Sequence, residues 1–503
     1  MSLRRPSNST GMRSPLMLIG RSYSSSALCD ARRGVLVTAL GCTLLLSACK
    51  TFSPDGGMDV VAGIAGQELK QDVVAIRTDE DVAAVRDAVT RLLKRPLSAA
   101  SAVQIALLNN RSLQAAYNEL GIAEAAMVQA SLPPNPTFSV ERVSSSVEIE
   151  IEKRIVANIL ALATLPARAE IAADRFRQAQ LRAAEETMRV AAETRRIYYR
   201  TIAMREISGF LSQAQSAAEA AAQLARRLGE TGAINKLDQA REQVFYAEIT
   251  AQLARVRQAA ASGREHLIRL MGLWGNDLDF KLPSALPSLP RRLSRLPVIE
   301  IEAIRRRVDI QIARLEVDAL AKAHGLTQAT RFINLLEVAG IDRTTQDRAS
   351  GERTRARGFE IEFQIPLFDF GEVRTRQVSE TYMQAVNRLA EKAVNVRSEA
   401  RDAYRVYRST YDIARHYQNE VLPLRKIISD ETLLRYNAMQ IDVFALLTEA
   451  RQRIAATTAA IEAQRDFWLA STDLGVAVVG GGVAGSEAPR TTAATPIGGA
   501  GGH

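Results

Sequence analysis

The stretch "VEIEIEKRI", Val147 to Ile155, decides how this chain is read. Apolar side chains at Val147, Ile149 and Ile151 alternate with Glu148, Glu150 and Glu152, so an extended backbone presents one kind on each face. The pattern returns in the second half of the chain as "FEIEFQIPLF", Phe359 to Phe368, with Glu360 and Glu362 on the polar side. In water, a half-buried sheet of this kind exposes its polar face. In a transmembrane barrel, the apolar face meets lipid and the polar face lines the lumen. "SVEIEIEKRI" and "RGFEIEFQIPLF" are close to the length, about 9–11 residues, at which a tilted strand crosses a bilayer.

Around the two strands the chain repeats itself. "ALLNNRSLQAAYNELGIAEAA" from Ala106 aligns with "AIRRRVDIQIARLEVDALAKA" from Ala303, matching Gln114 to Gln311, Ala116 to Ala313 and Glu119 to Glu316 at one constant offset. Further on, "RLGETGAINKLDQAREQ" aligns with "RYNAMQIDVFALLTEAR" at a slightly larger one. Each copy reads as a first helical segment (98–131 and 299–325), two strands (137–143 with 147–155, and 330–340 with 358–368), a very long helix (166–228 and 370–436) and a returning helix (236–271 and 443–474). Pro133, Pro134 and Pro136 stop the first helix. The long segments are rich in Ala and charge and free of internal Pro in the first copy, which suits close lateral contact between helices. The extra residues of copy two are assigned to "GIDRTTQDRASGERTRARG" (340–358), expected as a polar surface loop where copy one has "SSS".

The N-terminus carries export grammar. Arg32 and Arg33 precede "GVLVTALGCTLLLSAC", a run too short to stay in a bilayer as a helix, ending in small residues. Leu46-Ser47-Ala48-Cys49 resembles a bacterial lipobox, which implies cleavage before Cys49 and a covalent lipid on its thiol. Lys50 after the cysteine, in place of Asp, implies sorting to the outer membrane. Removal of residues 1–48 takes away six Arg and one Asp, lowering the formal charge from +9 to +4, so the basic balance does not indicate nucleic-acid binding. Cys29 and Cys42 leave with the leader, so Cys49 alone cannot form a disulfide within the chain. The organisation read from these features is a signal peptide (1–48), a lipidated segment (49–97), a first repeat (98–275), a linker (276–298), a second repeat (299–479) and a Gly/Ala/Thr-rich tail (480–503).

Catalytic chemistry is not indicated. "DFG" at Asp369 to Gly371 lacks the Gly-rich loop and catalytic-loop partners of a kinase and reads better as a sharp turn from strand to helix. His266, His324, His416 and His503 have no metal-ligand spacing, so no cofactor is expected apart from the lipid.

Four strands cannot close a membrane barrel, because known ones begin at about eight and open edges are not tolerated in lipid. Three chains would give twelve strands with cyclic symmetry. The alternative is a periplasmic helical lipoprotein scaffold whose strands form a small soluble sheet.

The repeated unit and lipobox, with "NPTFSVE" (135–141), "TLPARAEIAADR" (164–175), "TGAINKLDQAREQ" (231–243), "LIRLMGLWG" (267–275), "IPLFDFGEVRTR" (365–376) and "RYNAMQIDVFALL" (435–447), resemble the TolC-type outer membrane factors, especially their lipoprotein branch. The resemblance spans about 98–479. It implies a mostly α chain with a membrane β-barrel, four strands per chain completing a twelve-stranded barrel in a homotrimer. It further implies the exit duct of a tripartite efflux pump, with a periplasmic adaptor and an inner-membrane transporter of RND type as partners. Glu148, Glu150, Glu152, Glu360 and Glu362 would line the pore. The adaptor would dock at the hairpin tips, here Gly232, Ala233, Ile234 and Asn437, Ala438, Met439, Gln440. Many family members carry Gly near the second tip, where this chain has Met439. Asp442 and Glu449 would be counterparts of the family's acidic entrance-gate residues. The loop arginines Arg343, Arg348, Arg353, Arg355 and Arg357 are expected to meet anionic lipopolysaccharide at the cell surface.

Overall fold

The computed structural model describes residues 52–293, 298–333, 335–364 and 368–481. The leader, Cys49 and the tail from 482 onward lie outside the described residues. Helices α1 (Met58–Glu68) and α2 (Asp79–Leu93) lead into the first copy: α3 (Ala99–Asn109), α4 (Arg111–Ser131), β1 (Thr137–Ser144), β2 (Glu148–Asn158), the single turn α5 (Ile159–Ala163), α6 (Leu165–Glu230) and α7 (Lys236–Met271). The second copy runs α8 (Ile299–Arg306), α9 (Val308–Ala329), β3 (Leu336–Asp347), β4 (Arg353–Phe363), α10 (Glu372–His416), α11 (Leu422–Asn437) and α12 (Val443–Val479). A π-helical turn, Tyr417–Val421, joins α10 to α11, whose second residue is Pro423. That imino acid cannot donate to the preceding turn.

The hairpins repeat at a strict spacing. Leu165–Glu230 maps end to end onto Glu372–Asn437, and the same offset carries the start of α7, Lys236, onto the start of α12, Val443. The first helical segments are each broken once at matching positions, where Asn110 (ψ 121°) and Arg307 (ψ 122°) leave the helical region. Asn110 accepts from the Leu113 N–H through its side chain at 3.0 Å, which caps α4. Arg307 instead grips Asp309 at 2.9 Å and Glu399 of α10 at 2.5 Å, tying the break to the long helix.

Helix α6 has 66 residues and therefore spans about 100 Å. Pro166 stands in its first turn, where a missing N–H costs nothing. Its buried Thr187, Thr194 and Thr201 recur at heptad spacing and satisfy their hydroxyls on the carbonyls of Ala183, Val190 and Ile197. Small side chains there admit the neighbouring helices closely. Aromatic rings fill the space between α6, α10 and α12: Phe467 (1 % exposed) meets Tyr407, Tyr411 and Trp468, and Trp468 stacks on Tyr199 at 5.3 Å. The segment between the copies is held on these helices as well. The Pro287 carbonyl accepts from Gln464 and from the Trp468 indole, and the Pro290 carbonyl accepts from Tyr411.

The four strands form one antiparallel sheet in the order β1-β2-β3-β4, so each copy supplies a hairpin and the copies meet along β2 and β3. The limits of the second hairpin differ from the sequence expectation. β3 lies at 336–347 instead of 330–340, and β4 at 353–363 instead of 358–368. Most of the expected surface loop is therefore strand, with only 348–352 left as the turn. Charge pairing across the strands accounts for it: Arg355 and Arg357 of β4 reach Asp342 of β3, and Arg343 of β3 reaches Glu150 and Glu152 of β2.

The "DFG" segment makes the corner between β4 and α10. Asp369 accepts from the Gly371 N–H at 3.1 Å, and Arg331 donates to the Phe370 carbonyl at 2.8 Å. Phe370 (φ 43°) and Gly371 (φ 73°) both lie in the left-handed region, and a Cβ on Gly371 would come within 2.4 Å of the Arg331 carbonyl oxygen.

Candidate functional site: the two faces of the sheet and the hairpin ends

Register fixes which side chains share a face, since directly paired residues point the same way. Glu152 pairs with Glu141 on one side and Arg343 on the other; Glu360 pairs with Ala339, and Glu362 with Glu337. Glu148, Glu150, Glu152, Glu360 and Glu362 thus lie on one face, joined there by Glu141 and Glu337. The cations of that face are Arg154, bonded to Glu360 at 2.9 Å, and Arg343, at 2.7 Å from Glu150 and 2.6 Å from Glu152. The face remains strongly acidic.

The two glutamate runs do not occupy equivalent places in the two copies. Glu148 and Glu150 pair with Asp347 and Thr345 near the hairpin turns, whereas Glu362 pairs with Glu337 near the helices. The repeated alternation matches the faces but displaces the runs along the strands, giving an acidic stripe from one end of the sheet to the other.

The opposite face carries Phe138, Val140, Ile155, Phe359, Ile361 and Phe363, all more than half exposed in the single chain. No helix among the described residues is long and apolar enough to cross a membrane. Among the described residues, β1 and β4 each pair along one side only.

At the far end of α6 from the sheet, the two hairpin turns match in their bonding. Thr231, Gly232 and Ala233 donate to the carbonyls of Arg227, Gly229 and Leu228; Ala438, Met439 and Gln440 donate to Leu434, Tyr436 and Arg435, the same pattern at the corresponding positions of the second copy. Gly232, Ala233 and Ile234 form the first turn, and Ala438, Met439 and Gln440 follow Asn437, the last residue of α11. Asn235 and Asp442 then cap the returning helices, accepting from Asp238 and Ala445 N–H at 2.8 Å each. Asp442 therefore has a local duty as a helix cap.

Glu449 is buried (7 % exposed) and meets Arg425 of its own hairpin at 3.1 Å. Its counterpart in the first copy is Glu242, which sequence reading did not single out; the spacing that carries Lys236 onto Val443 carries Glu242 onto Glu449. Glu242 is 3 % exposed, and the nearest cation is Arg451 on α12 at 3.9 Å, so it faces the other hairpin. One oxygen of each carboxylate, Glu242 Oε2 and Glu449 Oε1, has no hydrogen-bond partner among the described residues. Burial pushes the Glu242 carboxyl above the ordinary carboxylate range; Arg451 opposes this and Asp238 reinforces it. Among the described residues no group of His, Cys, Asp and Glu could hold a metal ion.

No family model matches the sequence, and no curated protein matches it. Solved structures do. The Campylobacter jejuni CmeC outer membrane channel aligns with TM-score 0.65 and 14% identity over 82% of this chain and 89% of that one. The open state of the Neisseria gonorrhoeae MtrE outer membrane channel aligns with TM-score 0.61 and 16% identity, covering 78% and 89%. CusC, whose structures concern folding and transmembrane channel formation, aligns with TM-score 0.63 and 16% identity, covering 79% and 92%. The chain has the fold of the TolC-type outer-membrane channels: long helical hairpins with a small four-stranded antiparallel sheet.

Proposed function

We propose that this protein is the outer-membrane exit duct of a tripartite efflux pump, three chains closing a twelve-stranded barrel around an acidic lumen. The observation that carries the reading is the sheet itself, with one apolar and exposed face, one acidic face, and two edges left unpaired among the described residues. Backbone groups on such edges need partners in lipid, and β4 of one chain beside β1 of the next supplies them. Cargo passes without chemistry, and the acidic stripe favours cations over anions. The periplasmic adaptor meets the hairpin turns at Gly232–Ile234 and Asn437–Gln440, and an inner-membrane transporter of RND type drives the flow. Glu449 and Asp442 stand beside that entrance. A lipid on Cys49 anchors the chain, and the periplasmic scaffold remains the rival.

The test is the native mass of the protein extracted from outer membranes in mild detergent. A trimer that conducts ions in planar bilayers supports the duct. A monomer or dimer without conductance leaves the edges open and gives the scaffold.

A further inference from the structure

We infer that the apolar face of the sheet carries, at its hairpin-turn end, a binding site for phosphorylated lipid headgroups of the outer leaflet; this rests on the duct reading. By register, Arg142, Lys153, Arg353, Arg355 and Arg357 all lie on that face, in three successive rows next to the turns. Asp342 is the acid of this face, and Arg355 and Arg357 both reach it, so five cations share one carboxylate. Arg142 and Lys153 make no ion pair among the described residues, and Arg353 bonds only the neutral Gln346 side chain at 3.2 Å. Arg355 and Arg357 keep 58% and 70% of their side-chain surface exposed.

This grouping differs from the one read in the sequence. Arg343 lies on the acidic face with Glu150 and Glu152, and Arg348 sits in the turn, donating to Ser144 at 2.6 Å. Neither belongs to the site, whereas Arg142 and Lys153, from the first copy, do.

The ligand is identified by what adjoins the cations. Arg357 is two positions from Phe359, a separation of about 7 Å along the strand. Phe359 and Phe138 then continue the face as an apolar band. A free phosphate or a polyanionic polymer satisfies only the cations; a molecule with phosphate above acyl chains satisfies both levels. Closing the barrel also sets β4 of one chain beside β1 of the next. Arg353, Arg355 and Arg357 then approach the neighbour's copy of Arg142, a like-charge seam that bound anions would neutralise.

The full chain, purified from outer membranes in a neutral detergent and stripped of lipid, is titrated with bisphosphorylated lipid A, with lipid A lacking both phosphates, and with inorganic phosphate. Bound lipid is counted by native mass spectrometry. The expected result is a preference of about 100-fold for the bisphosphorylated form, undisturbed by millimolar phosphate, as the three β4 arginines alone imply. The variant R353Q/R355Q/R357Q loses the preference, and R376Q, on α10, keeps it. A trimeric wild type that binds both lipids equally, or is emptied by inorganic phosphate, overturns the site while leaving the duct standing. A wild type that is not a membrane oligomer overturns both. Should the triple variant fail to assemble, the two-lipid comparison on the wild type and on K153Q decides.

Discussion

Met439 adopts in the second hairpin the left-handed conformation that Gly232 adopts in the first, with φ 57° against 76° and the same three backbone hydrogen bonds around it. Glycine accepts that region freely, whereas a side chain costs roughly 1–2 kcal/mol there. Met439 is 93% exposed, so no packing among the described residues offsets the cost. A residue kept strained and bare at the end of a hairpin fits a turn whose side chain serves a partner. Met439→Gly is expected to tighten the second turn by about 0.5–1 kcal/mol, less than the full strain because glycine adds entropy to the unfolded chain. Gly232→Ala is expected to loosen the first turn by about 1 kcal/mol from the backbone alone, since an added Cβ there meets no atom within 4 Å. Hydrogen exchange at 228–235 and 434–442 reads both, and equal protection in all variants would remove the strain argument. Loss of adaptor binding in Met439→Gly, with the turn more protected, would assign the side chain to docking.

The aromatic cluster carries the junction between the copies. Phe467 touches Tyr407 and Tyr411 on α10 and is closed off by Trp468. Phe467→Ala is expected to cost about 3–5 kcal/mol, as large-to-small changes at sealed sites do. Phe467→Leu is expected to cost clearly less, because most of the volume is retained. Denaturant midpoints of the detergent-solubilised protein, compared at equal slope, check the order.

Glu242 gives the helical hairpins a pH dependence with a definite sign. Its carboxyl is pushed up by burial, so the folded chain holds this proton at a pH where the unfolded chain has lost it. The stability contribution is therefore most favourable in acid and is lost as pH rises from the ordinary carboxylate value through the raised one. Glu242→Gln is expected to raise the unfolding midpoint at neutral pH, with the difference from wild type vanishing in acid. A difference constant across pH would mean that shape, not charge, separates the two proteins.

Several of these features were open to reading in the bare sequence, and the reason differs from case to case. The first hairpin was legible because alanine, charge and the absence of internal Pro make its long helix unambiguous, and the second, despite Pro423, because the copies stay aligned at one constant offset from Leu165 to the end of α7. The acidic face was legible because alternation needs only one strand to be seen. Register was not. Asp342, Arg355 and Arg357 look like loop residues one strand at a time and become strand residues only once their mutual attraction across β3 and β4 is known. Glu242 was hidden for a related reason, since the cation facing it stands on α12, in the other copy. The breaks at Asn110 and Arg307 were hidden too, because each is held by side-chain partners that a helical periodicity does not reveal.

The acidic stripe and Arg343 make the remaining prediction, which concerns conduction. Arg343 lies within 2.7 Å of both Glu150 and Glu152 and so cancels part of the negative charge near the hairpin turns. Its side chain is half exposed, at 51%, so solvent screens the pairs, they contribute little to stability, and their removal leaves assembly intact. Arg343→Gln frees both carboxylates on the lumen-facing side of the proposed barrel, three times over in a trimer. Under a potassium chloride gradient in a planar bilayer, the reversal potential is expected to move toward the potassium equilibrium value. Glu150→Gln with Glu152→Gln is expected to move it the other way, leaving Arg343 as an unpaired cation. The shifts should shrink in high salt, because the Debye length falls to about 3 Å at 1 M. Arg355→Gln, on the opposite face, is the control and should leave selectivity unchanged. If the Arg355 variant shifts selectivity and the Arg343 variant does not, the two faces have been assigned the wrong way round.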